Sequence, residues 1–164
     1  MKISFIVLTY NRTDALLAVL RSLSEQCDAR HEVLIADDGS RADQVQMLHE
    51  CCPVFKCPVR HVWHPDVGFT AAQARNLAAN QAKGDYLVFL DGDCIPNKVF
   101  VAQHTRLAEA GCFVNGSRVL LSENLTAQVL NGTIDLPNRP VSFWWRARLQ
   151  GDSKIGRASC RERV

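Results

Sequence analysis

Two aspartates separated by one glycine are the residues of this chain whose spacing most directly suggests chemistry. Asp91-Gly92-Asp93 follows the apolar segment 86–90, which has the length and composition of a buried strand. Two carboxylates at a strand end can approach the same hard cation, and Mn²⁺ or Mg²⁺ prefers such oxygen ligands. The pattern therefore predicts that Asp91 and Asp93 hold a divalent metal. The alternative is a turn with solvated carboxylates.

A second acidic cluster, Asp37-Asp38-Gly39-Ser40, follows the apolar segment 32–36. A carboxylate in this position can accept hydrogen bonds from a nucleobase imide or a ribose hydroxyl. Gly39 permits a tight turn after the strand. The same residues are also compatible with a turn whose Ser40 caps the next helix, and with the acidic pocket of a phosphoacceptor receiver domain.

Two further groups could bind a nucleotide. Thr9-Tyr10-Asn11-Arg12 closes the first apolar segment, and the ring of Tyr10 could pack on a base while the neighbouring backbone reads the base edge. Arg75 lies near the start of the alanine-rich segment 70–82, where its guanidinium could reach a pyrophosphate. The simpler interpretations are a strand-to-helix loop with an exposed aromatic, and an arginine paired with a surface acid.

Strand-like and helix-like segments alternate along the chain. Apolar runs predict strands over residues 3–9, 32–36, 59–63, 86–90 and 112–121, and helical periodicity predicts helices over 13–23, 41–50, 70–82 and 98–110. This alternation predicts an α/β fold with a doubly wound, mostly parallel sheet. Ligands of such sheets bind at the carboxyl ends of the strands, where all the groups above lie. Residues 124–148 receive no assignment, and Phe143-Trp144-Trp145 is either core or uncovered surface.

In this order, the motifs T-Y-N-R, A-D-D-G-S, G followed by five residues and A-R-N, and F-L-D-G-D resemble the family-2 glycosyltransferases with the GT-A fold. The resemblance covers about residues 1–100. It implies a Rossmann-like sheet and an inverting transfer from a nucleotide-diphosphate sugar, with UDP as the expected nucleotide and Mn²⁺ or Mg²⁺ as cofactor. It implies base recognition by Thr9, Tyr10 and Asp38, a diphosphate or uridine contact from Arg75, and metal and ribose contacts from Asp91 and Asp93. The predicted donor-binding residues are Thr9, Tyr10, Asn11, Arg12, Asp38, Arg75 and Asp91.

One expected feature of that family is missing from the sequence. The family's general base is a carboxylate in the second half of the domain, often in an acidic pair, whereas Glu123, Asp135 and Asp152 are isolated acids. The base is therefore expected beyond the end of this chain. Residues 1–154 are interpreted as a truncated GT-A domain with its donor half in 1–100. Residues 155–164 resemble a translated sequencing adapter and are interpreted as a non-native tail.

Composition narrows the partners and the location. The net charge of +2 gives no reason to expect nucleic acid, and no apolar run approaches the ~20 residues of a membrane span. Seven cysteines without a recognisable leader indicate a cytoplasmic protein. The expected partners are a nucleotide-sugar donor and a glycan or lipid-linked acceptor, as in bacterial lipopolysaccharide or capsule synthesis. Peripheral association of the full-length enzyme with the inner membrane face stays open.

Three other protein classes fit the sequence less well. A receiver-like phosphoacceptor module without catalysis would need an aspartate at the end of the third strand, and Asp66 fits poorly because it lies in a proline-containing loop. A dinucleotide-dependent oxidoreductase and a P-loop enzyme would each need a glycine-rich motif that the sequence lacks. A zinc site is suggested by Cys51, Cys52 and Cys57 between His49 and His61, but the spacing is incomplete, and thiols around a loop are the favoured interpretation.

Overall fold

The structure is a computed structural model that describes residues 1–155 and 161–163. It forms two compact units, Met1–Val101 and Ala102–Val164. The predicted non-native tail falls largely on residues 156–160 and 164, which lie outside the described residues. Residues 1–155 contain no disulfide bond. None of the helices in residues 1–155 combines the length and the hydropathy that a membrane crossing requires.

The first unit alternates strands and helices as the sequence predicts. Its elements are β1 (Ile3–Thr9), α1 (Thr13–Gln26), β2 (His31–Asp37), α2 (Ala42–Cys51), β3 (Val59–Trp63), α3 (Ala71–Gln81) and β4 (Tyr86–Asp91). The four strands form one parallel sheet. Most predicted boundaries differ from the observed ones by one to three residues, because helix and strand ends depend on local hydrogen bonds rather than on hydrophobic periodicity.

Both faces of this sheet are covered, which explains the continuous apolar run of β1. Successive side chains of a strand point to opposite faces. Phe5 packs with Leu16 and Leu20 of α1 in one buried cluster, and Ile6 packs with Ala74 and Ala78 of α3 in the other. Small alanines let α3 lie close against the sheet. The predicted doubly wound arrangement is therefore confirmed.

The strand order is β3-β2-β1-β4. The chain moves outward from β1 to β3 and then returns to pair β4 with the other side of β1, so the gap between β1 and β4 is a topological switch point, where such sheets bind ligands. In a receiver-type sheet β1 would lie between β2 and β3. The observed order therefore excludes the receiver alternative.

The second unit departs from the sequence prediction. The single strand expected over 112–121 is wrong: β5 (Cys112–Val114) and β6 (Val119–Leu121) belong to different two-stranded sheets. Residues 115–118 separate them, and three of these, Asn115, Gly116 and Ser117, are of types that favour turns. The helix predicted over 98–110 is shorter. The elements here are α4 (Phe100–Leu107), which begins in the first unit, α5 (Glu123–Leu130), α6 (Val141–Leu149), β7 (Ser153–Ile155) and β8 (Arg161–Arg163), with β8 pairing with β5 and β7 with β6.

The aromatic patch lies on α6. Phe143 and Trp144 meet edge to face with ring centroids 5.5 Å apart, and the guanidinium of Arg139 lies 5.4 Å from the Phe143 centroid. Trp145 remains 65% exposed. The patch is therefore a partly covered surface rather than a core.

Candidate functional site

The predicted site residues lie together at the carboxyl edge of the parallel sheet. Leu8 pairs with Asp91 and Thr9 with Asp37 in the strand register. The loops after β1, β2, β3 and β4 therefore begin side by side along this edge, which we call the donor edge (residues 9–12, 37–41, 64–70 and 91–94).

The loops after β1 and β2 are bonded to each other. Asn11 adopts a left-handed conformation with φ of 51°. Its backbone N–H donates to the Ser40 hydroxyl at 2.9 Å, and its side-chain oxygen accepts from the Arg41 N–H at 2.9 Å. The Asp38 N–H donates to the Thr9 carbonyl at 3.0 Å. These reciprocal bonds place Thr9 and Asn11 in a fixed relation to Asp38.

Asp38 is a buried carboxylate whose partners come from the start of α3. Its oxygens accept from the Thr70 N–H at 3.1 Å and from the Thr70 hydroxyl at 2.5 Å. His64 Nε2 lies 3.1 Å from Asp38 Oδ1 but away from good hydrogen-bonding geometry. Neither Thr70 nor His64 is among the site residues predicted from the sequence. The available signal was the position of Thr70, directly before an alanine-rich helix; its hydroxyl bonds Asp38 instead of capping α3.

Tyr10 and Asp66 form a second contact across the donor edge. The exposed Tyr10 hydroxyl donates to Asp66 Oδ2 at 2.9 Å. This bond and the negative charge of Asp66 raise the pKa of Tyr10. The Gly68 N–H and the Tyr10 hydroxyl both donate to Asp66 and lower its pKa. Gly39 has φ of 93°, and a Cβ there would lie 2.6 Å from the Asp66 backbone. The close approach of the loop after β3 thus requires glycine at position 39.

Asp37 has a different environment from its neighbour Asp38. Its buried carboxylate accepts from the Ser40 N–H at 2.8 Å and from His61 Nε2 at 2.8 Å. Burial raises the pKa of Asp37, but the bonds from His61 and Ser40 outweigh it and the net pKa is lowered. Asp37 therefore holds the turn in place, while Asp38 faces α3.

The aspartates after β4 lie within reach of a common ion. Ligand atoms of Asp91, Asp93 and Cys94 all lie within 4.8 Å of one another, with Asp93 exposed and Asp91 partly so. Two carboxylates suit Mn²⁺ or Mg²⁺, which prefer oxygen, whereas the thiol of Cys94, missed in the sequence, suits softer metals. A Cβ on Gly92 would meet the Leu8 carbonyl oxygen, so this tight turn against β1 also requires glycine. The donor set fits a hard divalent cation.

Arg75 reaches the same group. Its guanidinium donates to Asp91 Oδ1 at 2.6 Å, and both side chains are partly exposed. The arginine is therefore paired with an acid, as the simpler interpretation held, but that acid is one of the predicted metal ligands. Arg12 instead pairs with Asp14 at 3.1 Å on the exposed start of α1. The predicted ligand contacts of both arginines stay predictions.

The isolated acids of the second unit either bond to residues of that same unit or are exposed to solvent. Asp152 accepts from the Ser122 hydroxyl at 2.8 Å, and Asp135 accepts from the Asn138 side chain at 2.8 Å. Glu123 is exposed in the first turn of α5. The Ser122–Asp152 bond joins the start of α5 to the turn before β7, the Asn138–Asp135 bond stabilises a local turn, and the identity of the general base stays open.

Known proteins share this sequence pattern. A profile of Glycosyl transferase family 2 matches residues 4–154. The chain is 35% identical over 108 residues to a hyaluronan synthase of Pasteurella multocida, which covers 65% of this chain and 11% of that protein. It is 31% identical over 106 residues to a chondroitin synthase of Escherichia coli, covering 64% of this chain and 15% of that protein. The chain thus spans a minor part of the length of these relatives.

Solved structures share the fold. The S. aureus TarS 1-349 structure in complex with UDP-GlcNAc has a TM-score of 0.55 and 28% identity, covering 74% of this chain and 34% of that one. The mannosyltransferase PcManGT from Pyrobaculum calidifontis, in complex with GDP-Man and Mn²⁺, has a TM-score of 0.58 and 22% identity, covering 78% and 38%. The predicted GT-A type of sheet is therefore confirmed.

Proposed function

This chain belongs to glycosyl transferase family 2, and from that premise we propose that its donor edge binds a UDP-sugar with a divalent metal for an inverting sugar transfer. One observation carries the proposal: Asp91, Asp93 and Arg75 meet at the switch point between β1 and β4, beside the loops of Tyr10 and Asp38. Open parallel sheets bind ligands at this position.

The loops after β1 and β2 would hold the base. Tyr10 is 47% exposed and offers a ring face for stacking, and its anchoring on Asp66 limits the orientations of that ring. Asp38, in the neighbouring loop, has both oxygens bonded to Thr70. A uracil imide that donates to Asp38 would share this carboxylate with Thr70, which couples base binding to the start of α3. The UDP-GlcNAc complex of the TarS structure supports the choice of uridine.

Asp91 and Asp93 would hold Mn²⁺ or Mg²⁺. When bound, such an ion offsets the negative charge that develops on a departing nucleoside diphosphate. The chain's own residues prepare this position. Arg75 orients Asp91 and brings a permanent positive charge to the place where the diphosphate would lie. Gly92 keeps the two aspartates close to the end of β1.

Transfer also needs an activated acceptor. A carboxylate base would take the proton of an acceptor hydroxyl, which then attacks the anomeric carbon on the side opposite the diphosphate and inverts its configuration. We place this base beyond residue 154, with residues 1–100 as the donor half of the domain. The names of the relatives, bacterial hyaluronan and chondroitin synthases, support a glycan acceptor. The role that we propose is bacterial cell-envelope polysaccharide synthesis on the cytoplasmic side.

Calorimetry with the purified chain tests this proposal. UDP should bind in the presence of Mn²⁺ and lose at least tenfold in affinity in excess chelator, since the diphosphate is then left beside unshielded carboxylates. GDP and NAD⁺ are the ligands against which the affinity of UDP is compared. Equal UDP affinity in chelator would remove the metal from the mechanism, and tighter binding of NAD⁺ would overturn the proposed class of donor.

A further inference from the structure

Two histidines and an aspartate form a row on the side of the sheet that carries α2. His49 Nε2, on the exposed face of α2, lies 3.3 Å from His61 Nδ1 on β3. The other ring nitrogen of His61 lies 2.8 Å from Asp37 Oδ2. We call His49 and His61 the histidine pair, and Asp37 lies behind it against His61. His49 and His61 lie outside the donor edge, and only Asp37 belongs to both groups.

The chemistry of Asp37 fixes which nitrogen of His61 carries the proton. The Asp37 carboxylate is buried, accepts from the Ser40 N–H through one oxygen and faces His61 Nε2 with the other. An ionised carboxylate can only accept, so His61 Nε2 carries the hydrogen and donates it. His61 Nδ1 therefore presents a lone pair toward His49. A histidine whose far nitrogen donates to a carboxylate is the arrangement typical of metal-binding histidines.

The spacing of the two nitrogens matches a metal ion. Zinc–nitrogen bonds of about 2.0–2.1 Å at a tetrahedral angle place two ligand nitrogens about 3.3–3.4 Å apart. The observed separation is 3.3 Å, with the rings nearly perpendicular at 84°. In residues 1–155 no third histidine, cysteine or carboxylate ligand atom lies within 4.8 Å of both nitrogens. Water would complete the coordination, which gives an open, exchangeable site.

We propose that His49 and His61 bind a borderline transition-metal ion such as Zn²⁺, with Asp37 orienting His61. In the metal-free chain His49 Nε2–H donates to His61 Nδ1. On binding, His49 carries its proton on Nδ1 instead, so both facing nitrogens offer lone pairs and no net proton is released. The ion would join α2 to β3 and, through Asp37, to the turn that carries Ser40. Its nitrogen ligands distinguish this site from the oxygen-rich Asp91–Asp93 pair.

Zinc calorimetry in an Asp93→Ala background with excess Mg²⁺ isolates the histidine pair from the aspartates after β4. One Zn²⁺ should bind per chain, and His49→Ala and His61→Ala should each weaken it at least tenfold. Asp37→Asn should weaken it by about tenfold or more through loss of the orienting carboxylate. The exposed Cys51 lies two residues after His49 and is the main competing ligand, so Cys51→Ser is the matched control and should leave the affinity unchanged.

Nitrogen-15 spectra of histidine-labelled protein provide a second readout. Zn²⁺ should shift the His49 Nε2 and His61 Nδ1 resonances and leave those of His104 in place. Absence of stoichiometric binding, unchanged affinity in both histidine variants, or loss of binding in Cys51→Ser would each overturn the proposal. His49 is exposed, so its variant should keep the wild-type thermal midpoint and report on binding alone.

Discussion

Acidic side chains lie at both ends of the parallel sheet, and their surroundings differ. At the amino end, Glu32 is 1% exposed and accepts from the Ser4 hydroxyl at 2.6 Å and from the Lys83 N–H at 2.5 Å. The Arg60 guanidinium donates to its second oxygen at 2.7 Å. At the carboxyl end, Asp93 is exposed and Asp91 is partly exposed beside Arg75.

The two groups of carboxylates differ in how much solvent reaches them. Burial raises the pKa of Glu32, but the hydrogen bonds from Ser4 and Lys83 and the positive charges of Lys2 and Arg60 outweigh it and lower the net pKa. That carboxylate is satisfied by its own chain and serves the fold. The aspartates after β4 keep solvent-facing surface, where an ion or a diphosphate can approach. Residue type alone does not separate these roles, whereas the exposure of the carboxylate to solvent does.

The largest effect on stability should come from removing the Glu32 carboxylate at the amino end of the sheet. Glu32→Ala leaves a buried hydroxyl, an N–H and a guanidinium without their acceptor, and should reduce the free energy of unfolding by about 3 kcal/mol. Urea denaturation measures this change. Glu50→Ala is the control, because Glu50 is exposed and contacts the Gln46 side chain on the same helix. A loss below about 1 kcal/mol would mean that water replaces the carboxylate.

The aspartates after β4 should show the opposite behaviour. Asp93→Ala should weaken Mn²⁺-dependent UDP binding at least tenfold, since a carboxylate ligand is lost. Its thermal midpoint should stay near that of the wild type because Asp93 is exposed. Asp43→Ala, an exposed acid on α2, is the matched control. Failure of Asp93→Ala to fold would instead assign this aspartate to the structure.

Lowering the pH should also show the structural role of Glu32, with a smaller effect on stability than its replacement by alanine. The folded-state pKa of Glu32 lies below its ordinary value of 4.5. A lowered pKa contributes stability that is present above the ordinary value and is lost as the pH falls through the folded-state pKa. As the pH falls from about 7 to about 3, the free energy of unfolding should therefore decrease more steeply for the wild type than for Glu32→Gln. Urea denaturation at a series of pH values measures this decrease. Parallel curves would show that Glu32 does not titrate differently on folding.

Tyr10→Phe should have the smallest effect. It removes the bond to Asp66 but keeps the ring face, so the free energy of unfolding should change by less than about 0.5 kcal/mol. UDP affinity should fall by less than about threefold, whereas Tyr10→Ala should lose more because stacking is lost. Calorimetry compares the two variants. Equal losses would show that the hydroxyl, rather than the ring, carries the contribution of Tyr10.

The first unit could be predicted closely because its signals are local and periodic. Continuous apolar runs mark β1, β2 and β4, and the strand ends mark Asp38, Asp91 and Asp93 as one edge. The partners of these residues could not be predicted in the same way. The bonds of Thr70 to Asp38 and of Arg75 to Asp91 join residues 32 and 16 positions apart, and only the folded register brings them together.

The secondary structure of the second unit was harder to predict from the sequence, for a physical reason. Its strands are three residues long, too short to show a period of two, and they pair across long sequence separations. The apolar residues of 112–121 therefore suggested one strand, although Gly116 in the middle is a turn-forming residue. Sequence periodicity is informative in proportion to the length of the element that carries it.

The bonds that join Asn11 to Ser40 and Arg41 have a kinetic consequence. Because each loop supplies both a donor and an acceptor to the other, the two loops should move as one body rather than independently. Their conformational entropy is lost when the chain folds, so a nucleotide that arrives later does not have to order them. Association should then proceed in a single exponential phase without a slow step. Differences in affinity among nucleotides should appear mainly in their rates of dissociation.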